Sequence, residues 1–223
     1  MRHAIILSGT GRHADEYHQF AETSRALAAL AVEAGLDPEI VTDVDGALAA
    51  LRTAAVPDLV IANLAGPSEP DPVRDDASLA GLERVLAEAP VLAMHIAAGA
   101  FGASPSWERA IGGHWTETSW HPELGRTCVR RTEEAPAEPA LGRDAFEVVD
   151  ERYLGLRLAD DNRVRFTHAD EDGGRAPTIW VRERPGAPRA AYDALGHDAR
   201  SYESEGHRAV LAALMRWLVS PRG

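Results

Sequence analysis

Apolar positions along this chain recur at two spacings, and the alternation between them outlines an architecture. Residues 3–7 form a short apolar run that Ser8-Gly9-Thr10-Gly11 breaks, which predicts a first strand and a Gly-rich loop. Over residues 17–34, Phe20, Leu27, Leu30 and Ala31 fall at helical spacing, and Gly35 stands where a helix ends on a left-handed residue. A second strand is predicted over residues 39–42 and a second helix over residues 43–54, with Leu48 and Leu51 facing inward. A third strand covers residues 58–62 and ends at Asn63, after which Pro67, Pro70 and Pro72 enforce a loop. A third helix over residues 77–87 leads to a fourth apolar strand over residues 90–94, which ends at His95. Continuously apolar strands alternating with amphipathic helices imply a parallel sheet covered on both faces, an α/β three-layer sandwich.

Beyond Gly99 the texture changes. A short helical turn is predicted over residues 107–111, and short strand candidates follow over 127–130, 145–149, 164–167 and 178–181, with 133–139 as a loop. These form a small antiparallel region, inserted over about residues 112–182 of a single domain spanning residues 1–223. A strand returns at residues 189–192 and Gly196-His197-Asp198 makes a loop. A closing helix over residues 203–219 carries Val210, Leu211, Leu214 and Leu218 on one face.

Composition narrows the function. The formal net charge is −12, and the densest basic group, Arg126 with Arg130 and Arg131, is answered at once by Glu133 and Glu134. A nucleic-acid binder would show a basic face, so neither DNA nor RNA is an expected partner. No apolar run approaches the roughly 20 residues that a membrane span needs. The first residues turn polar too soon for a signal peptide, which makes the cytoplasm the expected location. The one cysteine, Cys128, excludes an intrachain disulfide and a thiolate zinc cluster. It lies in a strand-like run, with no turn or neighbouring histidine to activate it as a nucleophile. All 23 basic side chains are arginine, so Schiff-base catalysis by a lysine and the usual P-loop are excluded. Nine histidines remain as the chemically versatile stock.

Ligands of open parallel sheets bind beyond the carboxyl ends of the strands. That rule selects His13 and His18 after the first strand, Asn63 after the third, His95 after the fourth, and His197 with Asp198 after the last. His95 precedes Ala97-Ala98-Gly99, small residues that permit a tight turn of the kind that presents a reactive side chain at an elbow. A buried histidine bonded to a backbone carbonyl would leave the same trace. In Gly112–Pro122, Trp115 and Trp120 with His114 and His121 suit a pocket wall that stacks on a sugar face, or the packing of an insertion. Glu151 and Tyr153 place an acid and an aromatic just after a strand. Asp198 also suits a helix cap.

These segments together resemble the ThuA-like, trehalose-utilisation family. The resemblance rests on His13-Ala14-Asp15, on Val91 through Ala97 at the elbow, on Trp107 through Trp115, on Asp150-Glu151-Arg152-Tyr153, on Tyr192 through Asp198, and on Trp217. It implies a flavodoxin-like sandwich of the class I glutamine amidotransferase type, with a mainly parallel central sheet. In those enzymes a cysteine occupies the elbow; here that position falls at His95, so cysteine-dependent glutaminase chemistry is not expected. The resemblance further implies carbohydrate metabolism, of trehalose or related keto-sugars. One departure stands out: Glu138-Pro139 occupies the place where family members often carry His-Pro before a Gly-Leu turn.

Two functions remain open at this point, beside a third possibility, an interaction protein with a degenerate pocket whose rim histidines are scattered and solvent-facing. One is a sugar-acting lyase or hydrolase, assisted by a divalent metal such as zinc, because histidine and carboxylate donors suit such an ion. Its expected catalytic residues are His95, Glu151 and His197, with His18 and His121 as metal candidates. His13, Asn63, Trp115, Trp120, Tyr153 and Asp198 are the expected substrate contacts. A metal-free version uses Glu151 or His197 as general acid or base. The other function is a non-catalytic sugar-binding or regulatory module. The expected partner in either case is a small carbohydrate, and a homodimer is the candidate assembly.

Overall fold

The protein is described by a computed structural model covering residues 1–66, 76–101, 104–132, 140–170 and 172–221. The loop expected at Pro67, Pro70 and Pro72, the acidic pair Glu133 and Glu134, and the Glu138-Pro139 pair lie outside those residues. The strands are β1 (Arg2–Ser8), β2 (Leu36–Val41), β3 (Leu59–Asn63), β4 (Val91–Met94), β5 (Gly113–His114), β6 (Gly125–Arg131), β7 (Ala145–Asp150), β8 (Arg157–Leu158), β9 (Arg163–Ala169), β10 (Arg175–Arg182) and β11 (Ala190–Asp193). The helices are α1 (Phe20–Glu33), α2 (Val44–Leu51), α3 (Asp76–Glu88), α4 (Pro105–Ile111) and α5 (Glu205–Val219).

Nine strands form one sheet in the order β2-β1-β3-β4-β11-β10-β9-β6-β7, while β5 and β8 pair separately. The first five are parallel and follow the flavodoxin-like order. From β11 onward each pairing is antiparallel. The antiparallel strands thus extend the main sheet. Period-2 alternation sends successive side chains to opposite faces. Ala4 and Ile6 of β1 pack with Leu27 and Leu30 of α1 and with Leu211 and Leu214 of α5. Ile5 and Leu7 instead meet Leu48 of α2, Leu82 of α3 and Trp107 of α4. The sheet is therefore the middle of three layers. Gly81 lets α3 cross α2 closely, since a Cβ there would lie 1.7 Å from the Leu48 carbonyl oxygen.

Two features bring distant segments to one rim. Register sets the parallel strands level at their carboxyl ends, with Ser8 opposite Asn63 and Asp193 opposite Met94. Four successive antiparallel steps from β11 to β7 then restore the original direction, so β7 also ends at that rim. The sheet curls as it goes, and Phe146 of β7 stacks on His207 of α5 at 5.9 Å between ring centres. Among the described residues no helix is long and apolar enough to cross a membrane.

Helix limits depart from expectation where side chains take the end amides. α1 starts at Phe20 rather than near Tyr17; the Asp15 carboxylate folds the residues before it into a turn by accepting from the Tyr17 and His18 amides. α5 starts at Glu205 rather than Glu203, because the Ser204 hydroxyl accepts from the His207 amide. Arg126 and Arg131, read as answered by Glu133 and Glu134, pair with Glu147 and Asp144 across the strands.

α5 is tied to the end of β11 by a fully buried pair: His207 Nε2 lies 2.9 Å from Asp193 Oδ2. His207 Nδ1 donates to the Ser201 carbonyl at 3.0 Å, so both ring nitrogens face acceptors, as an imidazolium requires. Burial pushes the His207 pKa down, but the Asp193 carboxylate outweighs it and the net direction is upward. A group raised on folding stabilises fully below its unfolded pKa, about 6.5, and ceases to do so as pH climbs through the raised value. In urea unfolding at acidic to neutral pH, His207→Gln is expected to lower stability by about 3–5 kcal/mol. It should also flatten the fall in stability that the wild type shows above that pH. A variant that keeps the wild-type slope would show that the pair does not set it.

Candidate functional site

The rim after β1, β4, β7 and β11 gathers His18, His95, Glu151 and His197, each offering one donor atom within 4.8 Å of the others. The ring centres of His18 lie 5.0 Å from His95 and 4.7 Å from His197. Local chemistry explains how each side chain is held.

His18 leaves the loop after β1 with its Nδ1 bonded to the Asp15 carboxylate at 2.8 Å. A carboxylate only accepts, so Nδ1 carries the proton and Nε2 is left with its lone pair. That Nε2 is buried and has no hydrogen-bond partner. His95 sits directly after β4 at φ 46°, the left-handed region that a side chain with a Cβ seldom adopts. The Tyr192 hydroxyl holds this turn by donating to the His95 carbonyl at 2.7 Å. His95 Nδ1 donates to the Ala194 carbonyl at 2.7 Å, which turns its Nε2 toward the cluster. His197 follows Gly196, whose φ of 118° suits glycine. The Asp150 carboxylate fixes that loop by accepting from the Gly196 amide at 2.8 Å and the His197 amide at 3.3 Å.

Glu151 Oε2 faces two imidazoles, 3.3 Å from His95 Nε2 and 3.4 Å from His197 Nδ1. The second is an ion-pair distance without hydrogen-bond alignment. Burial pushes the Glu151 carboxyl up, yet the His197 and His95 imidazoles overcome this and hold it well below the usual carboxylate range. In return the Glu151 carboxylate raises the His197 pKa against the opposing effect of burial. His18 goes the other way: burial, then the neighbouring His95, push it down and favour the neutral imidazole, the form that binds metals. Three imidazoles and one carboxylate are a donor set suited to zinc and similar divalent ions.

The remaining expected residues divide by position. His121 is 39% exposed on the solvent side, its Nδ1 3.6 Å from Glu151 Oε1. Tyr153 is buried, stacks on His95 at 4.3 Å between ring centres, and has its hydroxyl 2.8 Å from His95 Nε2. Trp115 packs edge-on against Tyr153. Trp120 is 48% exposed, and its backbone bridges to Leu154. His13 stands apart from the four-residue cluster, buried, with Nε2 3.2 Å from the Asp45 carboxylate that Arg12 also holds. The Asn63 amide donates to Thr23 Oγ1 and Ser24 Oγ, fastening β3 to α1. Asp198 caps the short turn before α5 and pairs with Arg200. Cys128 lies half-buried in β6, away from the elbow.

Sequence reasoning passed over Asp15, Asp150 and Tyr192 as holders of the site. Asp15 did leave a signal, an acidic residue three positions before a histidine at a helix start. Asp150 left none, because its target is a loop 46 residues away.

Comparison with known proteins agrees with this architecture. The family model for ThuA, trehalose utilisation, matches residues 4–218. No curated protein matches the chain in sequence. Among solved structures, a ThuA-like protein from Parabacteroides merdae is similar over 98% of this chain and 90% of its own, with a TM-score of 0.73 and 17% identity. Another from Bacteroides uniformis covers 97% and 91%, with a TM-score of 0.73 and 18% identity. A glutamine amidotransferase from Thermotoga maritima covers 99% of both chains, with a TM-score of 0.57 and 9% identity. At these identities the likeness concerns the fold.

The electrostatics of the cluster are open to direct measurement. In chelator-treated protein, an NMR titration should find His197 titrating above its ordinary value of about 6.5 and His18 below it. Glu151→Gln removes the main cause of the first shift, so the His197 pKa should fall. A His197 titration that this substitution leaves in place would show that Glu151 does not set it.

Proposed function

The chain belongs to the ThuA family, and from that membership and the cluster at its rim we propose a metal-assisted enzyme that acts on a carbohydrate. The observation that carries this reading is the buried lone pair of His18 Nε2, which has no partner although Asp15 holds the rest of the ring in place. Burying such a group unpaired costs about 1–3 kcal/mol, a cost that a bound cation would offset. His18, His95, Glu151 and His197 would hold the ion. The Asp15 carboxylate and the Ala194 carbonyl orient the two best-anchored rings from behind, an arrangement common to metal-binding histidines. A zinc-like ion supplies Lewis acidity and a bound water that ionises near neutral pH. Trp120, with its exposed face, and Trp115, packed beside Tyr153 and His121, are the surfaces assigned to the sugar. The position of His95 at the elbow, with the one cysteine in β6, argues against cysteine-dependent glutaminase chemistry, and a metal-held water suits a lyase or hydrolase reaction.

A second reading is favoured by the Tyr153 hydroxyl, which already occupies His95 Nε2. In it no ion binds, and Glu151 and His197 act as base and acid. Elemental analysis separates the two. Protein purified without chelator is expected to hold one divalent ion per chain, and chelation should abolish turnover of trehalose, sucrose or their 3-keto derivatives. His18→Ala and His197→Ala should lose the ion, and Asp15→Asn should weaken its binding by about 10–100-fold. Metal-free protein whose turnover ignores chelator would establish the second reading instead.

A further inference from the structure

Tyr153 makes a contact that the metal reading must explain. Its hydroxyl lies 2.8 Å from His95 Nε2. In the neutral ring, with Nδ1 donating to the Ala194 carbonyl, Nε2 accepts from the phenol, while Glu151 Oε2 lies 3.3 Å from the same nitrogen. The lone pair that an ion would need at His95 is therefore already engaged, whereas that of His18 is not. The phenol also has little room to withdraw. Its ring is stacked on the His95 ring at 25° between planes, and the Trp115 ring packs edge-on against it at 4.6 Å between ring centres. Backbone on both sides is fixed, since the Tyr153 carbonyl lies 3.2 Å from His168 Nε2 and the Leu154 amide donates to the Trp120 carbonyl.

Resting on the metal reading of the site, we propose that Tyr153 is a positioning residue linked to metal occupancy. Its hydroxyl caps His95 Nε2 when no ion is bound, and an ion taking that lone pair would displace the hydroxyl toward another acceptor. No proton is transferred in this exchange; one acceptor replaces another. Metal binding must first break the bond from the hydroxyl to the imidazole nitrogen, so the exchange lowers the affinity of the site for metal.

The test uses zinc alone, which is spectroscopically silent, on chelator-treated full-length protein. Zinc should produce a near-ultraviolet tyrosine difference signal in the wild type and none in Tyr153→Phe. By competition with a chromophoric chelator, Tyr153→Phe should bind the same single ion about threefold to tenfold more tightly, the value of one hydrogen bond. Zinc binding to the wild type without a tyrosine signal overturns the proposal and leaves the metal reading standing, as does equal or weaker binding by the variant. The wild-type signal keeps the proposal testable should the variant fold poorly. Wild-type protein that takes up no zinc overturns both.

Discussion

The site depends on one carboxylate that supplies no donor to it. Asp150, at the end of β7, accepts from the amides of Gly196 and His197 in the loop after β11. These two strands stand at opposite ends of the antiparallel half of the sheet, separated by β10, β9 and β6. Their ends meet because the sheet curls around α5 and because an even number of reversals returns β7 to the direction of the parallel strands. Asp150 fastens that closure, and the next residue, Glu151, is thereby delivered between His95 and His197. A buried carboxylate bonded to backbone amides fixes position more firmly than apolar packing does, since slipping by one residue would leave both partners unsatisfied.

Much of the fold is legible in the sequence, for an identifiable reason. The parallel half is built from continuous apolar runs and strongly periodic helices, and such patterns carry their own assignment. Its strands are recovered with ends shifted by a few residues. The antiparallel half is legible as strands but not as an arrangement. Alternation in β6, β7, β9 and β10 says nothing of which strand pairs with which, so their place in the main sheet, and the return of Glu151 to the rim, required the structure. The start of α5 is set where Ser204 takes an end amide, a side-chain decision that hydrophobic spacing does not record.

The histidines show the same limit more sharply. His13, His18, His95 and His197 all follow strands that end at one rim, and the sequence favours His95 at its elbow without separating His13 from His18 by environment. The structure separates them by what engages their nitrogens. His13 shares the Asp45 carboxylate with Arg12 and stays out of the cluster. His207 has acceptors at both nitrogens and serves as a buried cation that joins α5 to β11. His18 and His95 each have one nitrogen engaged by an acceptor and the other turned inward. An imidazole anchored at one nitrogen keeps a directed lone pair at the other, and that asymmetry makes a histidine a ligand or a base rather than a strut.

The elbow at His95 joins these arguments. A side chain with a Cβ pays for a left-handed backbone, so such a residue persists only where its surroundings determine it. Here the determination comes from three sides: the Tyr192 hydroxyl on the His95 carbonyl, the Ala194 carbonyl on Nδ1, and the Tyr153 phenol on Nε2. Tyr192 and Ala194 belong to β11 and the loop beyond it, the same segment that carries His197. Moving β11 relative to β4 would therefore disturb the strained turn and the His197 loop together. The register that pairs Met94 with Asp193 is thus as much a part of the site as its side chains. Core substitutions between β4 and β11 should reach the cluster without touching it, because the two imidazoles share one strand pair as their support.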